Sequence, residues 1–434
     1  MKKLKHFLFT GCLLILLLIF NACSSKPIMD YPELYKQQVW EWEDRLISDP
    51  DNFDALRNLS MYYSQIKDHE KARYHIDRAL KINPDDPALI LYKGINLEFF
   101  GRQAEAVEHY KRFTDVPQSS PYREILEGRL LWVNRQQNYS DIKMLVEQED
   151  QISSAEISDN TLAVFPLIYQ GMNPDYVPLS RGFSEMVSID LAKVKSLTVL
   201  ERVRIQAVLD ELKFSQSNLV DQSTAPRTGK ILRAGTIVSG DYNITDDEKF
   251  LINLGSWDSQ TTERKSWINR SGWLDDFFVL QKEIVFSFLE NNGIELTQQE
   301  KESIAYIPTQ NLESFLAYSK GLLLEDAGKF SEASIQYQRA SEIDPKFEIA
   351  NDKFKTSELV AKNGGVKEEI VEVLRVEDAV VKNEKINLSD SRTENLTTNI
   401  SSGFVQGIDS RSPAEESNIQ SQPLPPPPPP PTGQ

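Results

Sequence analysis

The chain has 434 residues, 40% of them hydrophobic and 26% charged, and a formal net charge of −17. That length accommodates two or three hydrophobic cores. A charge of that sign sets the chain against nucleic acid and anionic lipid, so no nucleic-acid partner is expected.

Lys2, Lys3 and Lys5 precede an apolar run from Phe7 to Phe20, and small residues then lead into Cys23. This is the layout of a bacterial signal peptide over residues 1–22. It resembles the lipoprotein kind, in which the cysteine is diacylated and becomes the new N-terminus. That makes Cys23 the expected lipidation site, with Cys12 or an uncleaved anchor helix as the alternatives. Ser24 stands where an inner-membrane retention signal would place Asp. The expected location is therefore the outer membrane, lipid-anchored and facing the periplasm. Losing the three lysines with residues 1–22 takes the net charge from −17 to −20. The remaining cysteine would carry the lipid, which excludes a disulfide within the processed chain. No further run of 18 apolar residues follows, so no second membrane-spanning helix is expected.

Helical spacing begins at ELYKQQVWEWEDRLI (33–47) and continues into FDALRNLSMYYSQIKDHEKARYHIDRALKINPDD (53–86). The latter places Leu56, Leu59, Ser60, Tyr63, Ala72, Ile76, Ala79 and Pro84 at the offsets of a tetratricopeptide repeat, which it resembles. The following 34 residues supply Ile90, Gly94, Leu97, Ala106, Tyr110 and Phe113. A third unit, 314–345, supplies Ala317, Gly321, Leu324, Ala333, Tyr337, Ala340 and Pro345. One repeat cannot bury its apolar face alone, so the segments 121–137 and 347–363 are read as flanking and capping helices. Stacked repeats form a concave groove. By register its lining includes Arg57, Met61, Leu91, Ile95 and Phe99, and in the last unit Phe315, Tyr318 and Leu322. Apolar residues dominate there, which points to an apolar or helical peptide as ligand. The competing reading is that some of these side chains contact neighbouring helices instead.

Between the repeats the pattern changes. NTLAVFPLIY (160–169) reads as a buried strand, 178–194 as a helix, SLTVLER (196–202) as a second strand, and 204–214 and 224–235 as helices. Two strands follow around the turn 245–249, a third is expected over 261–269, and 273–293 reads as a long helix. Asp275 and Asp276 fall in its first turn, where carboxylates suit the helix dipole. The order predicts an α/β sandwich with a mixed sheet. LAVFPL, SLTVLERVRIQAVLDEL and GKILRAGTIVSGDY resemble, in order and spacing, the curli assembly/transport (CsgG) family and the related TolB-N-like periplasmic domains. The resemblance rests on Glu201-Arg202, Gly229, Lys230, Ala234 and Gly240, and it covers about 130 residues. It implies a role in envelope assembly or secretion and a possible homo-oligomer. Glu201-Arg202 is read mainly as a structural ion pair at a strand end, with an interface contact as the alternative.

In the secretion channel of that family, two long hairpins from each subunit build a transmembrane barrel. A spanning strand needs roughly 9–11 residues. Here Tyr242 and Ile244 run through a charged turn directly into Phe250, Ile252 and Leu254. No length is left over, and the second candidate, 259–273, is short and polar. Both are expected to be ordinary turns.

The fold class is thus α+β and multi-domain, with tetratricopeptide repeats flanking a CsgG-like α/β domain with a mixed sheet. The expected layout is a signal peptide (1–22), N-terminal repeats (33–137), a linker (138–159), the CsgG-like domain (160–300), a C-terminal repeat with its cap (312–363) and a disordered tail (364–434). That tail ends in the seven prolines Pro425–Pro431. No catalytic residue, metal or cofactor is expected: the chain has no phosphate-binding Gly loop or nucleophile elbow. His75 and His109 lie 34 apart and share one repeat position, without a ligand pattern around them. The expected partners are the membrane, through the lipid, and envelope proteins, through the repeats. The expected function is a periplasmic scaffold or accessory in envelope assembly or secretion. The alternatives are an activator of a peptidoglycan synthase and a small-ligand sensor.

Overall fold

A computed structural model describes residues 31–213, 224–261 and 263–364. The expected signal peptide, Cys23 and the polyproline segment lie outside the described residues. The chain divides into two compact units, residues 1–92 and 93–434.

In the first unit, α1 (Tyr31–Ser48), α2 (Phe53–Gln65) and α3 (His69–Ile82) precede α4 (Pro87–Phe99), which begins here. Each helix start is written locally. The Asn52 side chain accepts from the Ala55 amide and Asp68 accepts from the Lys71 amide, satisfying backbone donors that a helix leaves unpaired. Leu56, Ala79 and Leu89 form a core with Leu46, Phe53 and Leu80 against it. Ala72 is fully buried, as the repeat offsets predict. The turn between α2 and α3 needs one residue at positive φ. Here that residue is Lys67, at 62°, while glycines hold the same repeat position at Gly101 (70°) and Gly328 (76°).

The second unit continues through α5 (Gln103–Tyr110) to α6 (Pro121–Glu147). Helix α6 runs ten residues past the expected helix end at 137, through much of the segment read as a linker. The reason is packing: Ile142, flanked by Tyr139 and Leu145, lies in the same core as the sheet. The sheet contains β1 (Ser158–Val164), β2 (Ile168–Tyr169), β3 (Thr198–Val199), β4 (Ala234–Ile244), β5 (Lys249–Asp258) and β6 (Arg264–Trp273). Its order is β3-β1-β4-β5-β6, with β2 also on β4. β1 runs parallel to β3 and β4, and β4, β5 and β6 are antiparallel, so the sheet is mixed.

Helices cover both faces. Leu162, Val164, Val238, Tyr242, Ile252 and Leu254 pack on α7 (Leu179–Leu191) and α10 (Phe277–Asn291). Ala163, Phe165, Ile237 and Trp257 pack on α6, α8 (Arg202–Glu211) and α9 (Ala225–Leu232). The expected strand 196–202 shrinks to two residues because helix α8 already begins at Arg202. Asp276 sits at the N-cap of α10 without a side-chain cap bond. The expected capping role therefore reduces to a favourable charge near the helix end.

After α10 come α11 (Gln298–Ala305), α12 (Leu312–Asp326), α13 (Phe330–Ile343) and α14 (Glu348–Asn363). Their core is continuous with that of the sheet: Phe315, Tyr318, Leu322, Ala333 and Tyr337 belong to the same cluster as Phe183, Phe250 and Phe277.

Candidate functional site

The eight residues expected to line a groove do not form an open surface. Phe315, Tyr318 and Leu322 are 0% exposed. Phe315 packs against Phe277 and Phe278, with ring centroids 5.4 Å away in each case. Tyr318 packs against Tyr337 at 5.6 Å and Phe347 at 5.0 Å. What covers them is the chain itself. Helix α7 approaches α12 so closely at Gly182 that a β-carbon there would collide with Ser319 and press on Phe315. The groove of the C-terminal repeat is thus filled by an apolar helix, the kind of ligand its residues suit, supplied in cis. In the N-terminal repeats Met61, Leu91 and Ile95 are buried too. Arg57 is paired with Asp86 at 3.0 Å, and Phe99 is half-buried. The reading of these side chains as an open groove is therefore corrected: they mostly pack between helices, because each repeat must bury its own apolar face first.

His75 is likewise a packing residue. Its ring stacks on Tyr63 at 5.4 Å and 7°, and burial lowers its pKa to about 4.

The C-terminal repeat is fastened to the α/β region by charge. Arg202, at the start of α8, pairs with Asp326, with Glu325 at 2.5 Å and with Glu185 at 3.5 Å. Arg181 on α7 pairs with Asp326 at 2.9 Å. Glu325 also receives Lys353 at 3.1 Å and the Tyr337 hydroxyl at 2.6 Å. Burial alone would raise the Glu325 pKa, but Arg202 and Lys353 outweigh it and hold the carboxyl down to about 2. Burial and the neighbouring Arg202 charge lower Arg181 to about 10. The expected Glu201-Arg202 pair is corrected by this geometry, since Arg202 turns from its sequence neighbour toward acids more than 120 residues away.

The same construction occurs at the equivalent place in the second repeat. Gly94 faces the Tyr110 ring and Gly321 faces the Tyr337 ring. The Tyr110 hydroxyl donates to Glu98 at 2.6 Å, and Arg129 holds that Glu at 2.5 Å. Glycine, glutamate and tyrosine thus recur at one spacing in both units, each with an arginine from outside the unit. The sequence reading found the glycines and tyrosines. It missed both acids and Arg129, and it singled out Arg202 without its partners, although the shared offsets of Glu98 and Glu325 were available as a signal.

Beside this network, α6, α8 and α12–α14 enclose a cleft of about 390 Å³. Within the β4–β5 pair, register runs unbroken from Thr236↔Asp258 to Ile244↔Phe250. The turn is closed by Thr245 N to Lys249 O at 3.0 Å and Glu248 N to Thr245 O at 3.0 Å. The turn after β5 is held by Asp258, whose carboxylate accepts from the amides of Gln260 and Thr261. Neither connection carries strand length beyond the sheet. Among the described residues, no helix is long and apolar enough to cross a membrane.

Fold and site define a mixed-sheet α/β domain braced by helical repeats. The family model described as Curli production assembly/transport component CsgG matches residues 136–245, and tetratricopeptide-repeat models match 54–86 and 316–347. The chain thus carries a CsgG-family domain together with tetratricopeptide repeats. The CsgG match begins inside α6, the helix whose extension joins the sheet core. Among solved structures, the chain is similar to the LpoB C-terminal domain from Salmonella enterica. The identity is 14% and the TM-score 0.22, over 30% of this chain and 95% of that one. No curated protein matches.

Proposed function

We propose that the chain is an outer-membrane-anchored periplasmic lipoprotein that acts as a protein-binding scaffold in envelope assembly or secretion, without catalytic activity. The observation that carries this reading is the division of labour between the repeats. The C-terminal repeat spends its groove on the chain's own α7 and becomes part of a rigid platform. Partner binding then falls to the N-terminal unit. There α1 exposes Trp40 (71%) and Ile47 (80%), seven residues apart and so on one helix face, and α3 exposes Tyr74. Tryptophan and tyrosine are enriched among residues that anchor protein interfaces. The family match supports an envelope setting, and the N-terminal sequence supports a lipid on Cys23.

The test has two arms. A photo-crosslinking amino acid at position 40 or 47 should capture an envelope protein in intact cells, and the same label at the exposed Ile335 should not. Cys23→Ser should abolish fatty-acid labelling and release the chain from membranes. Equal capture from all positions would sink the assignment of the binding face. Undiminished labelling of the Cys23 variant would sink the lipid anchor.

A further inference from the structure

The cleft between α6 and α14 contains an arginine, Arg135, that makes no direct ion pair among the described residues. Arg135 is only 7% exposed, and burying a guanidinium is costly unless an anion compensates it. Its hydrogen-bond partners are neutral. Nη2 donates to the Tyr139 hydroxyl at 3.0 Å and to the main-chain oxygen of Asp326 at 2.8 Å. The rings of Tyr139 and Phe330 lie 4.8 and 5.7 Å from the guanidinium. Its Nε is buried without a partner. The carboxylates nearby are engaged elsewhere: Glu325 by Arg202 and Lys353, Asp326 by Arg181 and Arg202, and Asp210 by Tyr139 and Gln206. Among the described residues Arg135 is thus a buried cation in direct contact with no carboxylate, on the wall of a cavity, and it reaches Asp210 only through the Tyr139 hydroxyl.

Leu131, Phe330, Ile349 and Val360 give that wall an apolar strip, while Arg202, Glu325, Asp352 and Lys353 place charges of both signs around it. Thr356 lines it too. A volume of about 390 Å³ lies within the range of small-molecule sites, which favour junctions of this kind between domains. One guanidinium without a direct carboxylate partner matches one singly charged head, and arginine geometry suits a carboxylate. We propose that this cleft binds a small amphiphilic carboxylate, its head on Arg135 and its apolar body along Leu131, Phe330, Ile349 and Val360. Such a ligand would bridge α6, α13 and α14, and so report on the docking of the C-terminal repeat.

Octanoate is a suitable probe, followed on the full chain by saturation-transfer NMR, with 1-octanol and octylamine as controls. Octanoate should bind about tenfold or more tighter than either control, because a hydrogen bond to a charged group carries most of the difference. Thr356→Trp fills the cleft and touches none of the ion pairs, so it should abolish binding. Arg135→Gln should weaken octanoate to the level of octanol. If Arg135→Gln does not fold, Thr356→Trp and the comparison of the three probes still decide. Octanoate binding no tighter than octanol, or unchanged in Thr356→Trp, overturns the proposal. So does binding that appears only when residues 365–434 are removed, which would make the chain's own tail the occupant.

Discussion

Arg202 shows how far a residue's role can lie from its sequence neighbours. The dipeptide Glu201-Arg202 suggests a local pair, yet Arg202 answers Glu325 and Asp326 across the chain. Removing one partner of a buried ion pair leaves the other charge uncompensated and costs about 3–5 kcal/mol. Glu325→Gln should therefore lower the urea midpoint markedly at pH 7. The pH dependence has a definite sign. The folded chain holds the Glu325 carboxyl at about 2, below its ordinary value of 4.5. Its stabilising share is present above pH 4.5 and is lost as the pH falls toward 2. Urea midpoints of the parent at pH 5 and pH 3 should differ by more than those of Glu325→Gln. An identical drop in both proteins would remove Glu325 from this account. The repeat offsets mark the position of Glu325, but the pairing of neither acid was legible in the sequence, because a carboxylate on a helix face reads as solvated until its arginine is placed.

At the scale of elements, the contact between α7 and α12 decides what the C-terminal repeat is for. Both helices were readable from their apolar spacing, and Ala333 and Tyr337 are buried where the repeat pattern places them. Their mutual docking was not readable, because a groove that binds a helix looks the same whether the helix arrives in cis or in trans. Gly182 is the residue that permits the approach. Inserting a larger side chain into a packed site costs typically about 1–3 kcal/mol. Gly182→Leu should thus lower the melting temperature and raise hydrogen exchange in both 179–191 and 312–326. Faster exchange in α7 alone would mean that the two helices are not one cooperative unit. Helix α11 was missed in the sequence although its start is written there: Thr297 and Glu300 form a reciprocal capping box. The expected strand 196–202 is present but shorter, since only Thr198 and Val199 pair with β1 and a short run does not show its own ends until its neighbour is known.

At the scale of the molecule, the question raised by the hairpin 236–254 is whether such a chain could perforate a membrane. Its two strands are committed along their whole length to the domain's sheet, and the connection carries Asp246, Asp247 and Glu248. Charged residues of this kind oppose burial in lipid. The purified chain should leave planar bilayers at baseline conductance. Reproducible stepwise currents that vanish when residues 245–249 are replaced by Asn-Gly would instead make this hairpin part of a pore. The class of the fold was set by local rules that sequence alone carries: the 34-residue period, small residues where helices meet, alternation in the strands, and side-chain caps at helix starts. Those terms act over a few residues or within one repeat, so they can be read without coordinates. Three features were settled only by tertiary structure: the cis occupancy of the C-terminal groove, the partners of Arg202 and Arg129, and the burial of Arg135 away from any direct carboxylate among the described residues. Each depends on which surfaces meet beyond the local helix pair, about thirty residues along the chain for Arg129 and Glu98 and more than a hundred for Arg202. Burial then decides which charges must be paired, a question that has no answer in an unfolded chain where water solvates them all.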